Sequence, residues 1–483
     1  MPVSVPSHPT PRRIGAARLL AAVALPLGAC ALPIEPADSG MVVPARFVSA
    51  AMPAAAPAPD ATWWRAFQAP ELDRLMAASM AGNFDLAVAV ARIRQADEAL
   101  RITGAELLPF VGASGSVARS RGTSATPGTP ANAGRRYGGT IAASYQIDFW
   151  GGLRAQTQAA RDDVRAAEFA MGTVTLTTQA AVAGTLFDLY GAQELLAIQN
   201  DNLRLAERTL AILRQRLAAG TATGLDVAQQ ENVVAQQRAQ IPPVQQTVEA
   251  NTFALATLAG VTPDQVSVAT ERLARIRVPV VSPGLPADLL QRRPDVRQAE
   301  ANLAAASADV TAARAALFPN ITLTAEGGLQ SIALQTFLRP GATVYSIAAS
   351  LTQTLFDGGA LRAQLALTRA RREELLANYR RAILVALQDA ETSLSALASA
   401  QESARLQAAR AAAAERAYAI AETQFRVGTI DLLTVLNTQA SLFSARLALA
   451  QAQATRLQAA AALFTALGGG WSVDAARAGS PTR

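Results

Sequence analysis

Residues 138–156 read Gly-Gly-Thr-Ile-Ala-Ala-Ser-Tyr-Gln-Ile-Asp-Phe-Trp-Gly-Gly-Leu-Arg-Ala-Gln, and the change of period inside this stretch decides the fold. Ile141, Ala143, Tyr145, Ile147 and Phe149 alternate with Thr140, Ala142, Ser144, Gln146 and Asp148. Period two marks a strand with one apolar and one polar face. Immediately afterwards, residues 151–219 contain no Pro and few Gly. That run predicts a single helix, about 100 Å long at about 1.5 Å per residue.

The same plan occurs twice. Leu153-Arg154-Ala155 matches Leu361-Arg362-Ala363, and Gly220-Thr221 matches Gly428-Thr429, each 208 residues apart. Leu258-Ala259-Gly260 falls opposite Ala466-Leu467-Gly468 at the same offset. Asp85 matches Asp295 and Pro109 matches Pro319, both 210 apart. Two repeats are therefore expected, residues 63–270 and 271–470, with 471–483 as a tail. Each repeat opens with a helix, 71–106 or 295–316, closed by Pro109 or Pro319. Two strands follow in each, about 110–120 and 138–149, then about 319–330 and 343–356. The linker between the first pair is rich in Gly, Pro, Ser and Thr, as an exposed loop should be. Long helices over 151–219 and 360–427 come next, each with a return segment, 225–259 and 431–467. In the last, Leu436, Phe443, Ala450, Leu457 and Phe464 recur every seven residues, with Ala440, Leu447, Ala454 and Ala461 four residues on. That is the seam of a coiled coil, with Ala allowing close approach. The fold class is mixed α and β, mostly α.

Composition narrows the chemistry. The 483 residues hold 43 basic residues, all Arg, against 37 acids, with one His and one Cys. The single His is His8 and the single Cys is Cys30. Both lie in or at the end of a leader. Met1–Arg18 carries Arg12, Arg13 and Arg18 and no acid, and Leu19–Leu27 is a short apolar run, the pattern of a secretory signal. The mature chain then has no His, no thiol beyond its first residue, and a net charge reduced from +6 to +3. Ser-His-Asp and Cys-His catalysis, zinc sites and disulfides are excluded on that reading. No catalytic residue, cofactor or metal site is expected. No run of basic residues resembles a nucleic-acid arm. An apolar fraction of 51% with only 5% aromatics, much of it Ala, favours long, closely packed helices.

Leu27-Gly28-Ala29-Cys30 resembles the lipobox of bacterial lipoproteins. It implies a signal over 1–29 and an acylated, palmitate-bearing Cys30 at the head of a Pro- and Ala-rich tether, 30–62. An ordinary signal with an incidental Cys is the alternative. Ala31, where Asp would stand otherwise, points by the same resemblance to the outer membrane. Trp63 and Trp64 fit packing better than a membrane belt. Tyr137, Tyr145, Phe149 and Trp150 are the belt candidates.

Strands of about ten residues with this dyad pattern are the mark of outer-membrane barrels. Four strands cannot close a barrel, because about eight is the observed minimum, and an open edge cannot face lipid. The chain must supply part of a barrel and complete it with copies of itself. Helices of about 100 Å are too long to pack on four strands and would project as a tube.

The run Gly284-Leu-Pro-Ala-Asp-Leu-Leu-Gln-Arg292-Arg293-Pro294-Asp295-Val-Arg-Gln-Ala-Glu300 resembles the central signature of TolC-like outer membrane factors, nearest the NodT-type lipoproteins of resistance–nodulation–division efflux pumps. Asn83-Phe-Asp85, Leu317-Phe-Pro319-Asn-Ile321, Leu355-Phe-Asp357-Gly-Gly359 and Arg426-Val-Gly428-Thr429 support it. The resemblance implies a homotrimer with a 12-stranded β-barrel, four strands per chain, in the outer membrane. It further implies a periplasmic α-barrel that meets a membrane-fusion adaptor and an inner-membrane proton-driven pump. The function implied is a passive efflux duct for drugs and other small molecules. A duct for type I protein or peptide secretion is the alternative, and a channel-less structural lipoprotein the third reading. The turns holding Gly220, Gly224, Gly428 and Thr429 would be periplasmic helix tips that contact the adaptor. In the family, positions just after the second tip line the closed aperture, often with acids. Here they are Leu433, Thr434 and Asn437, so a charged gate at those positions is not expected. Leu433 and Asn437 share a helix face. Asp226 and Asp431 lie nearby and could supply negative charge. Arg293-Pro294-Asp295 reads as a helix start, with a capping or packing role.

Overall fold

The computed structural model describes residues 32–36, 38–49, 60–121, 133–280 and 283–471. Cys30 and the leader lie outside the described residues. The chain divides into two compact units. One comprises residues up to Asp38 with Ala96–Val164 and Asn302–Leu376; the other comprises Ser39–Gln95, Arg165–Ala301 and Ala377 onward.

The first unit is built on one antiparallel sheet in the order β1-β2-β3-β4: β1 (Phe110–Arg121), β2 (Ala133–Ile147), β3 (Asn320–Ser331) and β4 (Thr343–Thr352). The repeats thus join through β2 and β3, and β1 and β4 are the free edges. Register shows why the sequence alternates. Phe110 lies opposite Ser144, Ile141 opposite Gly327, Tyr145 opposite Leu323, and Ala325 opposite Ile347. One face therefore carries Val111, Val117, Ile141, Tyr145, Leu323, Tyr345, Ile347 and Leu351, and the other Ser114, Ser116, Thr140, Gln146, Thr322, Thr324 and Ser350. Among the described residues much of the apolar face stands open, with Phe337 against it beside Gly139: Tyr345 is 85% and Ile347 83% exposed. Exposed apolar area of this extent marks an interaction or membrane surface.

Strand ends differ from the expected 138–149 and 343–356. β2 starts at 133 because the Gly- and Arg-rich run 133–138 pairs through its backbone with Gly138–Ser116 to Ala133–Arg121, which needs no apolar alternation. It stops at Ile147 because the Asp148 carboxylate turns back to accept from the Leu153 and Arg154 amides at 3.0 and 2.9 Å. β4 stops at Thr352, and Asp357 makes the equivalent turn to Gly359 and Leu361 at 2.9 and 2.8 Å. At the same end of the sheet, Trp150 stacks on Phe318 at 4.6 Å and donates to the Pro319 carbonyl at 2.8 Å.

The helices are α1 (Pro70–Gly82), α2 (Phe84–Ala105), α3 (Gly152–Ala218), α4 (Gly224–Ala239), α5 (Ile241–Ala259), α6 (Pro286–Arg292), α7 (Pro294–Ala315), α8 (Ala360–Arg426) and α9 (Leu432–Ala466). The helix expected over 71–106 is broken at Asn83. Its Oδ1 accepts from the Asp85 and Leu86 amides and starts α2, while its Nδ2 donates to the Leu258 carbonyl. The segment expected as 225–259 is likewise two helices, interrupted at Gln240, where Pro242 and Pro243 cannot donate backbone bonds. The seam expected in α9 also shifts near its start. Ala440 is exposed there, and the buried line runs Leu432, Val435, Gln439, Leu442.

The core of the second unit gathers around a 3-10 turn, Trp63–Phe67. Trp63 stacks on Phe464 at 5.1 Å and donates to Gln179 at 3.2 Å, so it packs rather than facing lipid. Phe47 is buried in the same core, and Glu391 accepts from the Val48 and Ser49 amides at 2.6 and 2.9 Å. The described part of the expected tether is thus bound along the protein. Among the described residues no helix is long and apolar enough to cross a membrane, and no group of three or more His, Cys, Asp or Glu could hold a metal ion.

Candidate functional site: the paired helix tips

The two turns 208 residues apart fold alike. At the end of α3, Gly220 takes φ +73°, and the Thr221 amide donates to the Arg216 carbonyl at 2.8 Å. At the end of α8, Gly428 takes φ +82°, and the Thr429 amide donates to the Gln424 carbonyl at 3.0 Å. A Cβ is disfavoured at that left-handed position, which accounts for both glycines. Gly224 differs: it opens α4 with no left-handed backbone, so its freedom is not used there.

Asp226 and Asp431, expected as charges near the aperture, take part in capping the two return helices. Thr223 and Asp226 form a reciprocal capping box, with Thr223 N donating to Asp226 Oδ2 at 2.7 Å and Asp226 N donating to Thr223 Oγ1 at 3.2 Å. Asp431 accepts from the Thr434 amide at 2.9 Å, and hydrogen bonding from the Thr434 side chain first and its amide second holds the Asp431 carboxyl below its ordinary value. Both aspartates therefore have a structural use, while their charge stays at the tips. Leu433 is 61% exposed and Asn437 is exposed on the same side of α9, opposite the buried Leu432, Val435 and Gln439. Among the described residues both side chains are exposed surface, open to copies of the chain.

One residue at the tips was not legible beforehand. Arg216 Nη2 donates to the carbonyls of Phe425 and Arg426 at 2.7 and 3.2 Å, and its guanidinium lies 4.3 Å from the centre of the Phe425 ring. A residue of the first tip thereby caps the last turn of the other long helix and ties the tips together. The position 208 residues on is Gln424, so the repeat gives no sign of this role. Loss of these bonds in Arg216→Ala is expected to cost about 1.4 kcal/mol locally, which is about a tenfold rise in amide hydrogen exchange at Phe425–Thr429. Unchanged exchange there would show that the tips are held by the apolar core beneath them alone.

Arg293 is placed elsewhere, in the core of the second unit. Its guanidinium grips Asp295 through two bonds of 3.0 and 2.7 Å, reaches Asp389 on α8 at 2.9 Å and faces the Ala466 carbonyl at 3.4 Å. Burial alone would lower its pKa, but the two carboxylates outweigh it and the group is held above its ordinary value. Arg293 joins the α6–α7 junction to α8 and to the end of α9.

A long helical chain carrying one two-faced four-stranded sheet, with twin helix tips, defines a class. Residues 75–261 and 285–469 match the family described as outer membrane efflux protein, and the chain belongs to that family, the TolC-like outer membrane factors. It is 39% identical over 462 residues to the pyoverdine export outer membrane protein OpmQ of Pseudomonas aeruginosa, across 94% of this chain and 97% of that one. It is 31% identical over 416 residues to the toluene efflux pump outer membrane protein TtgC of Pseudomonas putida, across 85% of each. Among solved structures it is similar to the outer-membrane channel OprN, with a TM-score of 0.85 and 28% identity over 89% of this chain and 98% of that one. The protein is an outer membrane efflux channel component with a long periplasmic helical extension.

Proposed function

We propose that three copies of the chain join through the free edges of β1 and β4 into a 12-stranded barrel. Through it, drugs and other small molecules handed on by a periplasmic adaptor and an inner-membrane proton-driven pump leave the cell passively. The observation that carries this reading is the sheet itself: among the described residues its two edges are unpaired, one face is largely exposed and apolar, and the other is polar. An open edge cannot face lipid, and twelve strands lie within the range of known barrels. The polar face then lines a wet lumen. In this duct the chain performs no reaction, and energy comes from the inner-membrane partner.

The same reading assigns residues 1–29 to a signal, Cys30 to acylation, 30–62 to the tether and 471–483 to a tail, with the repeats at 63–270 and 271–470. It assigns the turns at Gly220, Gly224, Gly428 and Thr429 to adaptor contact, and Leu433, Asn437, Asp226 and Asp431 to the aperture. Deleting the chain in its host and restoring it tests the function. Dye, antibiotic and solvent accumulation should rise on deletion and fall on restoration. Pyoverdine belongs in the panel, because OpmQ relatives are named for its export. Loss of a secreted polypeptide with no rise in any small molecule would replace efflux with secretion.

A further inference from the structure

The far end of the β1–β2 hairpin carries four arginines. Arg119 lies directly opposite Arg135, Arg121 opposite Ala133, and Arg136 opposite Ala118. Residues directly opposite project from the same face of a sheet. Arg119, Arg121 and Arg135 therefore share the apolar face with Val111, Val117, Tyr137 and Ile141, while Arg136 stands on the polar face with Ser116 and Ser120. All four are exposed. Like charges directly opposite repel. No acid occurs in the sequence between Glu106 and Asp148, and the one acid in β3, Glu326, pairs with Ala142 and so belongs to the polar face. The strands put no carboxylate on the face that carries the three arginines.

Depth identifies what meets them. From Ile147 to Tyr137 is ten residue steps, about 34 Å along a strand, which projects to about 26 Å at a tilt of about 40°. That matches the roughly 25 Å apolar band of an outer-membrane barrel. Tyr137 then sits where an aromatic girdle sits, and Arg135 and Arg119 come next, at headgroup level. The helices join the sheet at the opposite end, before Phe110 and after Ile147. With those helices in the periplasm, the arginines lie in the outer leaflet. We propose that Arg119, Arg121 and Arg135 bind the phosphate groups of a phosphorylated lipid of that leaflet. The planar fork of Arg matches phosphate oxygens through paired, charge-assisted bonds, and a phosphate between Arg119 and Arg135 converts their repulsion into a shared site. A lipid is favoured over an anion in transit because these side chains project from the apolar face and not from the lumen.

This inference rests on the sheet forming a membrane wall, so the test reads assembly and ligand together. Purified protein is mixed with bis-phosphorylated lipid A, with the same lipid dephosphorylated, and with inorganic phosphate, and examined by native mass spectrometry. The trimer should retain the phosphorylated lipid at least about tenfold more tightly than the dephosphorylated one, and inorganic phosphate should not displace it. Arg119→Gln with Arg135→Gln should abolish the preference, and Arg136→Gln should leave it intact. Equal retention of the two lipids, displacement by inorganic phosphate, or an unaffected double variant overturns the lipid site while leaving the trimer. Absence of a trimer in the unaltered protein overturns the barrel reading as well. Should the double variant fail to assemble, Arg121→Gln alone decides, with an expected loss of about threefold and an unchanged affinity counting against the site.

Discussion

Arg293→Ala should lower the stability of the folded chain by about 2–3 kcal/mol. Removing one partner of a buried ion pair usually costs about 3–5 kcal/mol, because the remaining charge is left without its counterion. Here the Arg293 side chain is only 10% exposed, but Asp295 and Asp389 are 34% and 44% exposed. Water can therefore rehydrate the two carboxylates, and the lower figure follows. The loss also uncaps the end of α9, whose Ala466 carbonyl faces the guanidinium. Arg293→Lys should recover only part of the loss, since an ammonium cannot hold Asp295 through two bonds while reaching Asp389. Urea unfolding followed by the helical circular dichroism signal of the purified protein measures both variants. Transport per folded molecule should be unchanged, because the Arg293 side chain is largely buried and bonded to α7, α8 and α9. Full rescue by Lys, or no loss with Ala, would remove the structural role argued for this residue.

The parts of the fold legible in the sequence are those with a period. β4 and the second half of β2 alternate because each faces two different surroundings, and α3 and α8 are long because nothing in 67 residues of either breaks a helix. The features that sequence reading missed depend on single side chains meeting distant backbone. Asn83 breaks a helical run because the Leu258 carbonyl, 175 residues away, takes its amide. The start of β2 carries no apolar pattern because Gly134–Gly138 pair through the main chain alone. The twin tips were visible as a repeat, with Gly220 and Gly428 at matching positions. Arg216 was not, because it breaks the repeat and its partners are carbonyls, which every residue has. Arg293 and Asp295 read as a helix start, and so they are, but the reach to Asp389 on α8 carries no local signal.

Leu433→Ala combined with Asn437→Ala should raise the open fraction of the proposed aperture about tenfold. Among the described residues both side chains stand exposed on the side of α9 away from its buried line. In a threefold assembly closed around this segment, each would meet its own copies, Leu433 by apolar contact and Asn437 by hydrogen bonding. In the proposed trimer truncation would be repeated in all three chains, so a loss of about 0.5 kcal/mol per chain would sum to about 1.5 kcal/mol, and about 1.4 kcal/mol is a factor of ten. The caps that shape the tip, Asp431 to Thr434 and Thr223 to Asp226, are untouched by these substitutions. The helices should therefore keep their form while the closed ring weakens. Two measurements separate these effects: single-channel conductance of the purified variant in planar bilayers, and growth inhibition by vancomycin of cells producing it without its pump. Openings about ten times more frequent, with greater vancomycin sensitivity, are the expected results. Unaltered conductance and unaltered sensitivity would move the constriction away from these residues. Attention would then turn to Asp226 and Asp431, whose charges remain at the tips although their oxygens cap α4 and α9. Asp226→Asn with Asp431→Asn would then be the informative pair, since it keeps acceptor oxygens for the caps while removing the negative ring.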